Sequence, residues 1–215
     1  MNVDLKICGI TNLSSIKIAA ENNVQNLGFA SNNLPGPNTC NDLKIKELIK
    51  ECDYYEISSV LLTHHQSLEE LVQQIDYTKP KTISCSYFFK KEDLESLKNI
   101  FPKLKIGIAI NPIKFDKNYL FSISSIADIF YYDLNVYTQT KIATHNIEEC
   151  IDQLSFLKKL KLPIFIGGGI NNNNAKIIID KISPSGLDVS RSLKDKNNDI
   201  SSIKLNELRI SLSAA

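Results

Sequence analysis

The stretch Leu162–Ser192, LPIFIGGGINNNNAKIIIDKISPSGLDVSRS, carries the pattern that decides the fold. Leu162 to Ile166 is an apolar run of strand length, and Gly167-Gly168-Gly169 with the polar cluster Asn171 to Asn174 breaks it. Ala175 to Ile182 then repeats apolar residues at helical spacing before a second strand, Leu187 to Ser190. Two strands bridged by a helix read as a parallel βαβ unit, because parallel pairing needs a crossover of a dozen or more residues.

Working outward, the same alternation runs through the chain. Further strands are read at Leu5 to Cys8, Asn26 to Ala30, Ile57 to Thr63, Thr82 to Ser86, Lys105 to Ile110 and Asp128 to Tyr132. Helical periods lie between them, at Leu13 to Glu21, at Leu43, Ile45, Leu48 and Ile49, at Glu92 to Asn99 and within Phe115 to Ser125. The capping-box sequence Ser67-Leu68-Glu69-Glu70 opens a helix to about Ile75, and Asn146 and Glu149 open one that continues to Leu160. A last helix covers about Ser201 to Leu212, and Ser31 to Asn41 reads as a polar, Pro-bearing loop. Eight strands, each followed by a helix and recurring about every 25 residues, close most economically into a (β/α)8 barrel, one domain over residues 1–215. An open doubly wound sheet is the structural alternative.

Composition narrows the function. The 215 residues are 43% hydrophobic and 23% charged, with 25 Lys and Arg against 24 Asp and Glu and a formal charge of +1. That describes a globular domain with a sizeable core and gives no electrostatic argument for nucleic acid or a membrane surface as partner. MNVDLKICGIT lacks the apolar run of a targeting segment, and no stretch reaches the length of a membrane span. The five cysteines (Cys8, Cys40, Cys52, Cys85, Cys150) are odd in number, scattered and without a CxxC pair, which argues against disulfides and a zinc ribbon and fits the reducing cytoplasm. His64 and His65 are adjacent and point opposite ways on a strand; His145 lies near a helix start.

Closing the barrel would gather all strand ends at one rim, so residues just after the strands become site candidates. The triglycine before a helix, with its bare N–H groups, outlines a phosphate cradle, against the plainer reading of a turn needing positive φ. Ser190, Arg191 and Ser192 follow the eighth strand, and barrels of this kind often hold phosphate between the loops after strands seven and eight. Cys8 ends the first strand beside Gly9; it is either a small buried hydrophobe or a base whose thiolate needs a neighbouring cation. Lys6 shares its strand face, with a reach the sequence does not fix. Asp133 closes strand six after Tyr131 and Tyr132 and is either a capping carboxylate or a proton donor. Asp188, within strand eight, reads as a polar core residue or as support for the site.

Taken in order, Lys6-Ile7-Cys8-Gly9-Ile10-Thr11, Leu27-Gly28-Phe29, Asp133, Gly168-Gly169 and Leu187-Asp188-Val189-Ser190 resemble the phosphoribosylanthranilate isomerase family across essentially the whole chain. The resemblance implies an Amadori rearrangement of an aminoaldose phosphate to an aminoketose, in tryptophan biosynthesis, without metal or organic cofactor. By position it makes Asp133 the acid at the ring oxygen and Cys8 the base at C2. It places the substrate's phosphate on backbone donors near Gly168, Gly169, Ser190 and Ser192; Arg191, read from its own chemistry, would add a permanent charge beside them.

Departures from the family pattern concentrate at the other end of the substrate. Members usually carry S-P-R after strand two, where Arg meets the anthranilate carboxylate; Ser31 to Thr39 contains no Arg. V-Q-L-H-G after strand four is replaced by Ile83-Ser84-Cys85-Ser86-Tyr87, and the glycine-rich loop after strand six by Thr138-Gln139-Thr140-Lys141. The usual S-S-G after strand eight stands as Ser190-Arg191-Ser192. Two outcomes are compatible with this. One is a divergent isomerase in which Lys141 or another cation replaces the Arg; the other is a repurposed barrel that acts on, or only binds, a different phosphorylated ligand. Oligomeric state is not readable from the pattern.

Overall fold

Each strand offers one face to the barrel lumen and the other to the surrounding helices, and the computed structural model, which describes residues 3–134 and 150–213, shows how the sequence divides them. Eight strands, β1 (Asp4–Cys8), β2 (Asn26–Ser31), β3 (Ser58–Thr63), β4 (Thr82–Cys85), β5 (Lys105–Ile110), β6 (Ile129–Asp133), β7 (Ile164–Gly167) and β8 (Gly186–Val189), pair in parallel in chain order. The ring closes because β1 bonds both neighbours, Cys8 opposite Gly28 of β2 and Lys6 opposite Asp188 of β8. Closure excludes the open-sheet alternative. One strand of two residues, Thr39–Cys40, extends the end of β2 (Ala30 opposite Thr39, Ser31 opposite Cys40), so the segment expected to be loop from Ser31 onward begins and ends in sheet.

The helices α1 (Leu13–Glu21), α2 (Asp42–Tyr54), α3 (Leu68–Thr78), α4 (Lys91–Ile100), α5 (Lys117–Ile123), α6 (Ile151–Lys159), α7 (Ala175–Ile182) and α8 (Ser202–Ser213) follow the strands among the described residues. Asn12 and Asn41 cap α1 and α2 by accepting from the backbone N–H three residues on, both at 2.9 Å. The capping box at α3 is half made: Ser67 accepts from Glu70 N–H at 3.5 Å, while the Glu70 carboxylate turns to His65 Nδ1 at 3.2 Å. Asn146 and Glu149, expected to open α6, lie outside the described residues, as do His145 and Thr138 to Lys141.

The outward strand residues, among them Ile7, Leu27, Phe29, Leu61, Ile83, Ile106 and Phe130, pack against Ile16, Ile45, Leu48, Leu71, Leu94 and Leu97 of the helices, all at most 1% exposed. Each contributes about 1.5–3 kcal/mol on burial. The inward faces form a second, smaller cluster of Val60, Tyr131 and Phe165, which floors the lumen with Leu62 and Ile129 at its edge. Among the described residues no helix is long and apolar enough to cross a membrane.

Candidate active site

Above that floor, at the C-terminal ends of the strands, opens a cavity of about 860 Å³, the size of a pocket that buries a small phosphorylated metabolite. Cys8 from β1 and Asp133 from β6 both line it, so the two groups expected to exchange protons face one space. Neither is turned into the packed core: Asp133 is exposed and Cys8 half-buried. Gly28 on β2 makes room for the thiol, since a Cβ at that position would stand 2.5 Å from Cys8 Sγ.

The period of two that sends Ile7 to the helices sends Lys6 into the lumen with Cys8. Lys6 is 1% exposed. Its ammonium donates to Cys8 Sγ at 2.7 Å and to Asp188 Oδ2 at 2.5 Å, and lies 4.5 Å from the centre of the Tyr131 ring. Burial alone would lower the Lys6 pKa, but the charges of Asp188 and Cys8 outweigh it, and the net direction is upward. Burial pushes the Cys8 thiol up to about 12; Asp188 adds to the rise and Lys6 opposes it. The second carboxylate oxygen of Asp188, Oδ1, is buried and has no donor among the described residues, and Asp188 itself lines the cavity. The Lys6–Asp188 pair went unread in the sequence, although both residues occupy inward positions once β1 and β8 are neighbours.

The loops after β7 and β8 form one wall. Gly168 and Gly169 take φ of 94° and 77°, which L side chains rarely adopt. Gly169 O accepts from the amides of Asn171 (3.1 Å) and Asn174 (3.0 Å), so the Asn cluster fixes the turn. Gly168 and Ser190 line the cavity; Gly169, Arg191 and Ser192 stand behind them, with Arg191 exposed at the head of a 3-10 turn, Arg191–Leu193. Ser190 donates its hydroxyl to Cys8 O at 3.1 Å and Ser192 donates to Ile170 O at 2.6 Å. Both hydroxyl protons are therefore committed, whereas the N–H groups of Gly168, Gly169 and Ser192 make no bond to another described residue.

The opposite wall is built by the loops after β2 to β5. Leu34, Pro35, Tyr87 and Phe88 give it an apolar, partly aromatic surface, with His64 and Lys114 as polar groups on the same wall. Ser86 donates its hydroxyl to Thr63 O (3.1 Å), so its oxygen accepts from His64 Nδ1 (2.8 Å), which fixes that nitrogen as the protonated one. A buried network braces the wall. Gln74 of α3 donates to Ser31 Oγ (2.8 Å) and Asp42 Oδ1 (2.7 Å) and accepts from Thr63 Oγ1 (2.8 Å). Asn33 in turn donates to Thr63 Oγ1 and accepts from His64 N–H, both at 3.1 Å. Among the described residues no group of three His, Cys, Asp or Glu side chains is placed to hold a metal ion. Cys40, Cys52, Cys85 and Cys150 are buried and in no disulfide among the described residues.

No protein-family model matches the sequence. N-(5'-phosphoribosyl)anthranilate isomerase 2 of Methanosarcina mazei is 23% identical over 206 residues, covering 90% of this chain and 86% of its own. N-(5'-phosphoribosyl)anthranilate isomerase of Methanococcus aeolicus is 28% identical over 215 residues, covering 94% of each. Among solved structures, the phosphoribosyl anthranilate isomerase of Thermococcus kodakaraensis superposes over all of both chains with a TM-score of 0.79 at 17% identity. A phosphoribosyl anthranilate isomerase in complex with reduced 1-(o-carboxyphenylamino)-1-deoxyribulose 5-phosphate does so with a TM-score of 0.72 at 15% identity. Relatives matched along nearly their full length, and a closed barrel of the same architecture, support membership of the phosphoribosylanthranilate isomerase family.

Proposed function

We propose that the protein isomerises N-(5'-phosphoribosyl)anthranilate to the corresponding 1-amino-1-deoxyribulose 5-phosphate, with Asp133 as acid and Cys8 as base. The observation that carries this reading is that a carboxyl from β6 and a thiol from β1 line one cavity whose rim holds the Gly168 and Ser190 loops. Phosphate is held by the backbone N–H groups of Gly168, Gly169 and Ser192, with Arg191 adding positive charge from outside. Anchoring that end fixes the sugar carbons between acid and base, which converts binding into orientation. Asp133 gives its proton to the furanose oxygen, the ring C1–O bond breaks, and C1 and nitrogen become a protonated Schiff base. That cation acidifies the C2 hydrogen, which passes to the Cys8 sulfur; the enolamine then ketonises as a proton is added at C1 and the C2 hydroxyl loses its own. Atoms balance without an external oxidant or reductant.

The anthranilate ring rests on the apolar wall of Leu34, Pro35, Tyr87 and Phe88, and its carboxylate meets Lys114, with His64 beside it. These groups stand where the sequence, lacking Arg between Ser31 and Thr39, had left a gap, and they remove the reason for preferring a different phosphorylated ligand. Five free thiols fit a protein of the reducing cytoplasm. The test is direct: purified protein mixed with N-(5'-phosphoribosyl)anthranilate should consume it and yield an isomer of equal mass, resolved by chromatography. Absence of conversion at concentrations where the compound demonstrably binds would sink the proposal.

A further inference from the structure

A thiol in an apolar barrel is a poor base unless something stabilises its anion, and the buried cation that bonds this one is Lys6. We propose that Lys6 is a positioning residue for Cys8: held by Asp188 and by the Tyr131 ring, its ammonium donates to Sγ and sets how much thiolate the site contains. This rests on the reading of Cys8 as the base, and it adds the device that makes the residue one.

The geometry is specific. Three fixed contacts leave the Lys6 ammonium little freedom: Asp188 Oδ2 at 2.5 Å, Cys8 Sγ at 2.7 Å and the Tyr131 ring centre at 4.5 Å. Because ammonium has donors only, sulfur must accept, which orients a lone pair of Cys8 along the Lys6 side and leaves the rest of the sulfur toward the cavity. Asp188 has two opposed effects. It anchors Lys6, and its own charge works against a second anion nearby; its Oδ1 is buried and has no protein donor among the described residues. Other groups facing Cys8 are few. Lys194, tied to Gly9 O, approaches from the loop after β8; Tyr131 comes from β6; Asp133 and His64 stand across the cavity; β2 and β3 contribute uncharged Gly28 and Leu62.

The experiment uses the full-length protein and reads Cys8 alone. Iodoacetamide alkylation of Cys8 is followed by peptide mass spectrometry at pH 7 to 10 in the wild type, Lys6→Met, Asp188→Asn and the double variant. Lys6→Met should slow alkylation of Cys8 by about tenfold or more, the ratio that one unit of thiol pKa carries, and Asp188→Asn should quicken it. A role limited to packing predicts something else, since loosening the lumen exposes the thiol and speeds both variants. Lys6→Met reacting as fast as wild type, or faster, overturns the proposal. Should that variant fail to fold, the double variant, which removes both buried charges together, should react more slowly than Asp188→Asn; equal rates overturn it. If the ordering holds but no variant nor the wild type turns over N-(5'-phosphoribosyl)anthranilate, the Lys6 device stands and the isomerase reading falls.

Discussion

The two walls of the cavity are made on different principles. On the β6–β8 and β1 side, the strands themselves deliver Asp133, Asp188 and Cys8 into the lumen, and two short loops, tied by Asn171, Asn174 and Ser192, add the phosphate end. On the β2–β5 side the functional groups sit on loops, and they are held by a hydrogen-bond network running from Gln74 through Thr63 and Asn33 to His64. Strand register is hard to change without losing the barrel, whereas loops can be exchanged. On the proposed reading, proton transfer belongs to the strand-built wall and recognition of the aromatic end to the loop-built one.

The rigid wall should be the less forgiving. Cys8→Ala and Asp133→Asn should each lower kcat by about 10²–10⁴-fold, the usual worth of a positioned acid or base, while inorganic phosphate still binds as a competitive inhibitor. A kcat within about tenfold of wild type in either variant would mean that the residue is misassigned. Gly28→Ala is a subtler break in the same wall. Its Cβ would lie 2.5 Å from Cys8 Sγ and 3.0 Å from Leu62 Cδ1, so the thiol must move. Since a displacement of about 1 Å can cost about 10²-fold, kcat should fall by that order, with the melting temperature dropping only slightly. Unchanged kcat would show that Cys8 works from a position other than the one beside β2.

The placement of Cys8 and Asp133 was legible because a barrel's geometry is simple: strand ends make the rim, and alternate residues face inward. Reading Cys8 and Asp133 as the last residues of their strands needed nothing more, and Gly168 and Ser190 followed from the same rule. Lys6 and Asp188 obey the rule too, yet their pairing depends on which strands are neighbours across the closure, and a long side chain can reach up or down the lumen from one Cα. Lys114 was hidden for a different reason. It lies on a 3-10 turn after β5, Pro112–Lys114, where neither a period of two nor one of 3.6 says which way a side chain points. Gln74 sits among the apolar positions of α3, and nothing in the pattern distinguishes a network residue from an accident of composition. Thr39–Cys40 pairs as strand only because β2 already supplies its template.

Breaking the network should show how far the loop wall depends on it. Gln74→Leu removes the side-chain donor to Ser31 Oγ and Asp42 Oδ1 and the acceptor of the Thr63 hydroxyl, which keeps only its bond from Asn33, and a buried group so stranded costs about 1–3 kcal/mol. Denaturant unfolding should register a loss within that range, and KM for the proposed substrate should rise. Cys8 alkylation should not change, because its contacts lie on the other side of the lumen. In the wild type that alkylation rate should climb about tenfold per pH unit from pH 8 to 10 without a plateau, since burial first, then Asp188, holds the thiol up at about 12 and thiolate accumulates only as pH rises. A plateau near neutrality would mean that Lys6 outweighs both.

The smallest effect is expected at Lys114, and it bears most directly on what the rebuilt wall recognises. Lys114 is exposed, so its attraction for a carboxylate is screened by water and salt and is worth only a few-fold in binding. Lys114→Ala should raise KM about threefold to fivefold with kcat unchanged, the signature of binding energy felt equally in ground and transition states. Lys114→Arg should restore it, and added salt should erase the difference between wild type and Lys114→Ala. The decisive comparison removes the partner instead. With the aniline analogue, which lacks the carboxylate, wild type and Lys114→Ala should have the same KM, because the two deletions address one interaction. If Lys114→Ala impairs both substrates alike, the lysine acts on the phosphate or on the loop, and the carboxylate is held by His64 or by a group outside the described residues, Lys141 foremost. In that event the clamp moves from the loop after β5 to the one after β3, which keeps recognition on the β2–β5 side, or to the one after β6, which carries it across to the other wall.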